Sequence, residues 1–126
     1  MPEYINLTER RPSLPFSDAV AHGNIVFLSG RIGFTPGTTT VPDDPSEEAR
    51  YMLDGFVAVL REAGLTMHDL VYVQIFTPDV SLFDTFNAVY RTYFADPTKL
   101  PARAFLGSGP LLFGARFEMI GIAAKS

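Results

Sequence analysis

The chain has 126 residues, fewer than the roughly 150 of a typical domain, so we expect a single domain over residues 1–126. It has no cysteine, which excludes disulfide scaffolds, thiolate nucleophiles and cysteine-ligated metal sites. Ten lysines and arginines against fourteen acidic residues give a net charge of −4, which argues against nucleic acid or an acidic membrane as a partner. Short apolar runs and an amino terminus unlike a signal peptide predict a soluble, cytoplasmic protein.

The first predicted elements are two strands, residues 17–21 and 24–30, that form a hairpin. They are joined at His22-Gly23, where glycine supplies the positive φ that a tight turn requires. Before them, residues 7–16 carry two prolines and clustered charge, which predicts an irregular segment. After them, the glycine, threonine and proline residues of 31–43 predict a loop.

A helix beginning at Pro45 is the clearest local prediction. Asp44 is suited to the N-cap position, Pro45 to the first helical position, and Glu47 to the return bond of a capping box. Gly64 is placed to end the helix. The apolar stripe of this helix comprises Ala49, Met52, Leu53, Phe56, Val57 and Leu60.

The rest of the chain predicts a strand, a second helix and two further strands. Residues 70–76 alternate, with Val71, Val73 and Ile75 on one face. A helix over 81–94, capped by Ser81, stops before a proline, and strands over 103–106 and 116–124 follow. Long helices between strands imply crossover connections, so we expect an α+β fold with a mixed sheet and both helices on one face.

Aromatic residues are abundant for so short a chain, with eleven phenylalanines and five tyrosines. Two helices on one face leave the other face of the sheet without cover, and large apolar side chains at a surface are typical of an interface or a ligand groove. We therefore expect the chain to assemble with copies of itself.

Arg103 begins a predicted strand with apolar neighbours, so its permanent charge needs a partner there. Two hypotheses fit equally well: an internal salt bridge to an acid such as Glu118, or a clamp for a ligand carboxylate or phosphate. Strand alternation places Arg116, Glu118 and Ile120 on the face away from the helices. Glu118 could act there as a general base or pair with a cation of another subunit, and the sequence favours pairing.

A family resemblance covers nearly the whole chain. It rests on several segments that occur together in order and spacing: PFSDAV (15–20), GNIVFLSGRI (23–32), VLREAG (59–64), FNAVY (86–90), PAR (101–103) and FEMIGIA (117–123). In these segments the chain resembles the Rid/YjgF family, the reactive-intermediate deaminases of enamines and imines that were once described as endoribonucleases. The resemblance implies a chorismate-mutase-like fold, a homotrimer and ligand clefts between neighbouring subunits, and no metal or cofactor.

The resemblance also implies roles for particular residues. Arg103 matches the arginine that grips the substrate carboxylate and is the expected catalytic clamp, Ser29 and Gly30 match the loop that lines the cleft, and Asn87 matches a polar residue at its edge. At four further positions in the expected substrate site the chain departs from the family pattern. Phe16 stands in place of tyrosine, Arg31 in place of glutamine, Phe105 in place of a small residue and Ile120 in place of the glutamate that positions water. We therefore expect an apolar cleft that keeps its clamp and lacks an acidic group.

Two functions follow from the resemblance as expectations. The first is hydrolytic deamination of an enamine or imine carboxylate, with ammonia release, on a bulkier substrate such as an aminomuconate. The second is a non-catalytic trimer that binds a small carboxylate through Arg103. Ribonuclease activity is disfavoured by the acidic charge and by the lack of a histidine, lysine and glutamate constellation.

Overall fold

The computed structural model describes residues 1–10 and 13–126 of the chain, so part of the predicted irregular segment 7–16, residues 11 and 12, lies outside the described residues. Within them, one six-stranded sheet has the order β1-β2-β3-β6-β4-β5. The strands are β1 (Glu3–Ile5), β2 (Ala19–His22), β3 (Ile25–Ile32), β4 (Leu70–Thr77), β5 (Ala102–Gly107) and β6 (Glu118–Ala124); the helices are α1 (Pro45–Glu62) and α2 (Phe83–Tyr90). Only β4 and β5 pair in parallel, so the predicted mixed sheet is confirmed.

The hairpin at the start of the sheet forms as predicted, with Gly23 at φ 60° between β2 and β3. β3 runs two residues beyond its predicted end, to Ile32, and pairs with β6 through a bulge between Leu28 and Arg31. The bulge changes the register of the strand beside Gly30. The three-residue strand β1 was not predicted, because so short a segment shows no clear alternation.

Helix α1 begins and ends at its predicted signals. The carboxylate of Asp44 accepts a hydrogen bond from the backbone N–H of Ser46 at 3.0 Å, and Gly64 follows the helix at φ +78°. The side chain of Glu47, predicted to make the return bond of a capping box, instead accepts a hydrogen bond from the hydroxyl of Tyr51 at 3.0 Å. All of the predicted apolar stripe is buried except Val57, which is partly buried.

Two predicted details are wrong for local reasons. A register shift between Leu70 and Tyr72 turns Val71 outward, so Val71 is 48% exposed while Leu70 is buried in its place. The second helix is α-helical over only eight residues, Phe83–Tyr90, and is flanked by 3₁₀ turns. Its predicted cap, Ser81, instead donates through its backbone N–H and its hydroxyl to the carboxylate of Asp79.

Both helices cover one face of the sheet and enclose the core. Met52, Leu53 and Phe56 of α1 and Phe86 of α2 are buried against Met119 and other residues of the sheet. The opposite face carries apolar side chains without cover in the chain, and Phe27 is 52% exposed there. Among the described residues, no helix combines the length and apolar character needed to cross a bilayer.

A buried carboxylate fixes the start of β6 against α1. Glu48 is fully buried and accepts backbone hydrogen bonds from Arg116 at 2.6 Å and Phe117 at 3.2 Å. The guanidinium of Arg116 donates to the same carboxylate at 2.8 Å. Because a buried carboxylate is costly unless it is paired and hydrogen-bonded, this arrangement specifies where β6 begins, and Glu118 is its first residue.

Candidate functional site

A cavity of about 600 Å³ lies at the end of the sheet where β2 and β6 begin and β3 ends. We call it the strand-end cavity. Its polar side chains come from Asp18, Ser29, Arg31 and Glu118, and aromatic and aliphatic side chains form most of the remaining wall. Among these are Phe16, Phe34, Leu112 and Phe113. A mostly apolar cavity with a few polar groups is the usual form of a small-molecule site.

Glu118 supplies a carboxylate to this cavity because β3 has no side chain at Gly30. A Cβ at Gly30 would collide with Oε2 of Glu118 and lie 3.2 Å from its carboxyl carbon. The adjacent Ser29 donates its hydroxyl proton to the carbonyl of Ser17 at 2.6 Å, which leaves the serine oxygen able to accept a hydrogen bond. The absence of a side chain at Gly30 therefore leaves space for the carboxylate of Glu118 beside the backbone of β3.

Arg31 forms another part of the wall. Its Nη2 lies 3.4 Å from Oδ1 of Asp18, and its side chain is 27% exposed. Burial lowers the pKa of Arg31, and the negative charge of Asp18 opposes that shift. Asp18 is held by a second hydrogen bond, from the backbone N–H of Leu7 at 2.8 Å.

Arg103 lies apart from the cavity, on the edge strand β5, and is surrounded by aromatic rings. Its guanidinium carbon is 4.8 Å from the ring centre of Tyr90, 5.6 Å from that of Phe83 and 5.7 Å from that of Phe105. Cations are stabilised over aromatic faces at such distances. We call this group the Arg103 edge.

The charge of Arg103 has no carboxylate partner among the described residues. The internal salt bridge to Glu118, one of the two hypotheses for this arginine, does not form. Arg103 pairs with Val73 on the helix side of the sheet, whereas Glu118 alternates with the buried Phe117 and Met119 and lies on the other side. Burial lowers the pKa of Arg103, and the nearby Tyr90 opposes that shift.

Two buried polar atoms lie on α2 beside the Arg103 edge. Among the described residues, Oδ1 of Asn87 and the hydroxyl of Tyr90 have no hydrogen-bond partner. Burial raises the pKa of Tyr90 to about 12, and the positive charge of Arg103 opposes the shift. Because buried polar groups are nearly always paired, this edge is suited to receive polar groups from outside the chain.

The structure thus divides the predicted site residues between two places. Phe16, Ser29, Gly30 and Arg31 line the strand-end cavity, with Phe16 47% exposed. Arg103 and Phe105 lie together at the far edge of the sheet, and Asn87 is buried on α2, one helical turn before Tyr90.

Ile120 is not among the residues that line the cavity, and Glu118 is. The two share a face of β6, but Glu118 is the first residue of the strand and lies against Gly30, whereas Ile120 pairs with Gln74 farther along the sheet. The strand-end cavity therefore contains an acidic group, Glu118, at a position where the family resemblance did not lead us to expect one.

Sequence reasoning missed most of the apolar wall. Phe34 and Phe113 pack edge to face at 5.0 Å, and Phe113 adopts φ 60°, a left-handed conformation that is uncommon for a bulky residue. Neither residue belongs to a periodic pattern, so no signal in the sequence brings the two loops together. The run Leu111-Leu112-Phe113 before a glycine is the feature that could have suggested an apolar loop at a site.

Comparison with known proteins places this geometry in context. The model of the family described as Endoribonuclease L-PSP matches residues 8–125. The chain is 33% identical to the 2-iminobutanoate/2-iminopropanoate deaminase of Escherichia coli over 121 residues, which cover 94% of each protein. It is similar in structure to the YjgF gene product of E. coli, with a TM-score of 0.89, 30% identity and coverage of 98% of this chain and 99% of the other. E. coli TdcF with bound serine also has a TM-score of 0.89, with 28% identity and the same coverage.

Proposed function

Because the chain belongs to the Endoribonuclease L-PSP family, which includes the Rid/YjgF proteins, we propose that it hydrolyses 2-imino acids to 2-oxo acids and ammonia. The observation that carries the proposal is the carboxylate of Glu118 in the strand-end cavity, against Gly30. The name of the E. coli relative, a deaminase of short 2-imino acids, supports this reaction class. The bound serine of TdcF supports a ligand with an amino-acid carboxylate.

In the proposed reaction, water adds to the carbon of the C=N bond. The carboxylate of Glu118 takes a proton from that water as the new C–O bond forms, and solvent protonates the imine nitrogen, which gives a tetrahedral adduct with one hydroxyl and one amino group. Glu118 then returns its proton to the amino group. As the hydroxyl loses its proton to solvent, the C–N bond breaks, ammonia leaves and a ketone remains at the same carbon. Arg103 binds the carboxylate next to that carbon through its planar fork, which orients the imine toward the water.

This reaction needs Arg103 and Glu118 in one site, and a single chain keeps them apart. Arg103 pairs with Val73, which pairs with Gly121, so it lies roughly 10 Å from Glu118 along the strands and roughly 10 Å across them. The two side chains also project from opposite faces of the sheet. We propose that the protein is a homotrimer in which the Arg103 edge of one copy faces the strand-end cavity of its neighbour.

The uncovered sheet face supports this assembly. Ile25 and Phe27 are exposed there, and Ile120 and Ile122 of β6 are only partly buried. Burying such a surface against other copies removes apolar area from water and completes the site in the same step. Sedimentation equilibrium should give about three times the mass of one chain, and a monomer at micromolar concentration would contradict the assembly.

Activity is tested by following ammonia release from 2-iminobutanoate that is generated in the assay. We expect the native protein to accelerate the release above the spontaneous rate. Binding of 2-oxobutanoate without any acceleration would replace the deaminase by the non-catalytic carboxylate-binding trimer.

A mixing experiment tests whether the site is shared between copies. Arg103→Gln and Glu118→Gln chains, each inactive alone, are coexpressed and the mixed trimers are purified through two different tags. If one residue comes from each neighbour, every purified mixed trimer has one intact site in three, so about a third of the native activity returns. If both residues come from one chain, every site stays defective and the mixture remains inactive.

A further inference from the structure

We infer that Arg31 provides a second anion-binding position in the strand-end cavity, which selects 2-imino acids whose side chain ends in a carboxylate. The inference rests on the proposed function and adds the substrate class. It is carried by the hydrogen bonding of Arg31, by the packing that holds it, and by its position relative to Glu118.

The guanidinium of Arg31 is weakly paired for a partly buried group. It has five N–H donors, and among the described residues it makes one hydrogen bond, to Asp18 at 3.4 Å. Charge-assisted hydrogen bonds are commonly 2.7–2.9 Å long, about half an ångström shorter. A partly buried cation with one long contact on a cavity wall has donors available for an anion. Burial lowers the pKa of Arg31, as expected for a cation whose charge its surroundings do not fully compensate.

Helix α1 is shaped to admit this side chain. Gly55 lies inside α1, where glycine is less favourable than alanine. A Cβ at position 55 would collide with Cδ of Arg31 and lie 3.0 Å from its Nη1 and 3.1 Å from its Nε. The helix therefore leaves the space that Arg31 occupies, and together with Asp18 it fixes the guanidinium before any ligand arrives.

Arg31 and Glu118 reach the same cavity from two sides. Arg31 pairs with Met119, the residue next to Glu118, so alternation directs their side chains to different faces of the sheet. Both nevertheless line the cavity. A substrate with its imine carbon near Glu118 can place the far end of its side chain at Arg31, while Arg103 of the neighbouring copy holds the carboxylate beside the imine.

The alternative is that Arg31 only ties Asp18, β3 and α1 together. If Arg31 has only this structural role, its removal lowers kcat/KM equally for every substrate. If Arg31 binds an anion, its removal lowers kcat/KM only for substrates with a distal negative charge. Two five-carbon substrates separate these roles: 2-iminoglutarate, generated from glutamate by its oxidase, and 2-iminopentanoate, generated from norvaline. They have equal chain length, and one ends in a carboxylate where the other ends in a methyl group.

The experiment compares kcat/KM for the two acids in the native protein and in Arg31→Gln. Arg50→Gln, on the exposed side of α1, is the matched control because it removes the same charge outside the cavity. We expect the native protein to prefer 2-iminoglutarate, and Arg31→Gln to reduce that preference about 10- to 100-fold, the range of a charged hydrogen bond. Arg50→Gln should keep the preference, and Arg31→Lys, which keeps the charge without the fork, should fall between the two.

Two results would overturn the inference: no native preference for 2-iminoglutarate, or an equal loss on both acids in Arg31→Gln. If the native protein hydrolyses neither of these acids nor 2-iminobutanoate, the proposed function fails, and calorimetry with the stable 2-oxoglutarate and 2-oxopentanoate then decides the anion site by itself. Tighter binding of 2-oxoglutarate that Arg31→Gln abolishes supports the site. Equal affinity for the two oxo acids excludes it.

Discussion

The strand-end cavity and the Arg103 edge are opposite in chemistry. The cavity holds the carboxylates of Asp18 and Glu118, and its one lining cation among the described residues, Arg31, is already in contact with Asp18. The Arg103 edge holds a cation among aromatic rings, with no carboxylate in contact among the described residues. Among the described residues, carboxylates outnumber cations in the cavity lining, and the Arg103 edge carries a cation among aromatic rings, which is the relation that the proposed shared site requires.

The two regions also hold their charges in different ways. Glu118 has its place because Gly30 removes a side chain and because Glu48 fixes the start of β6. Arg103 has its place because Tyr90, Phe83 and Phe105 surround it with ring faces, which stabilise a cation without neutralising it. An unneutralised guanidinium keeps its full attraction for a ligand carboxylate, which suits the orienting role that we propose for Arg103, while proton transfer is proposed for Glu118.

The largest effect on activity is expected from removing the negative charge of Glu118 in the strand-end cavity. Glu118→Gln keeps the shape of the side chain but removes the proton acceptor, so ammonia release from 2-iminobutanoate should fall about 10²- to 10⁴-fold. The thermal midpoint should change little, because Glu118 forms no ion pair among the described residues. Turnover of Glu118→Gln at the native rate would show that Glu118 is not the proton acceptor and that water held by the backbone takes the proton instead.

The next largest effect is expected at the other region. Arg103→Lys keeps the positive charge but loses the bidentate fork, so KM should rise by a factor that corresponds to about 1–3 kcal/mol. A rise in KM with a smaller change in kcat would mark Arg103 as the orienting group. A sharp fall in thermal midpoint with unchanged KM would instead show that the arginine serves the fold.

A smaller effect is expected from Gly30→Ala, which moves the carboxylate without removing it. The added Cβ would push the end of the Glu118 side chain aside, and such flexible ends give way at little cost in stability. We expect kcat to fall about tenfold, since small displacements of a reacting group are costly, while the thermal midpoint stays near the native value. Gly109→Ala is the control for general effects of the substitution, because Gly109 has open space around it and, like Gly30, no positive φ. A fall in kcat for Gly109→Ala equal to that for Gly30→Ala would show that the effect does not come from the contact between Gly30 and Glu118.

The sequence predicted the fold more completely than it predicted the site. The cap at Asp44, the stop at Gly64 and the hairpin at Gly23 depend on neighbouring residues, so local patterns revealed them. The role of Gly30 depends on contact with Glu118, 88 positions away, and the wall of Phe34 and Phe113 depends on two loops that meet only in the folded chain. Alternation in the sequence assigned Glu118 to a face of the sheet, but it did not reveal the bulge beside Gly30 or the start of β6 at Glu118. The position of Glu118 in the cavity could therefore not be predicted.

The smallest effect is expected from Tyr90→Phe, and it appears only in alkaline solution. Burial raises the pKa of Tyr90 to about 12 from an ordinary value of 10, so between these values the unfolded chain loses this proton more readily than the folded chain does. Stability that is fully present below about pH 10 is therefore lost as the pH rises toward 12. Phenylalanine keeps the ring under Arg103 and has no proton to lose, so the thermal midpoint of Tyr90→Phe should fall less steeply than that of the native protein over this range.

Parallel melting curves at pH 9, 10 and 11 measure how steeply the thermal midpoint of each protein falls with pH. The titration of all other groups cancels in the difference between the two slopes. Equal slopes for the two proteins would show that the hydroxyl is open to solvent or hydrogen-bonded, and that the Arg103 edge stabilises its cation in a wetter environment than the structure describes.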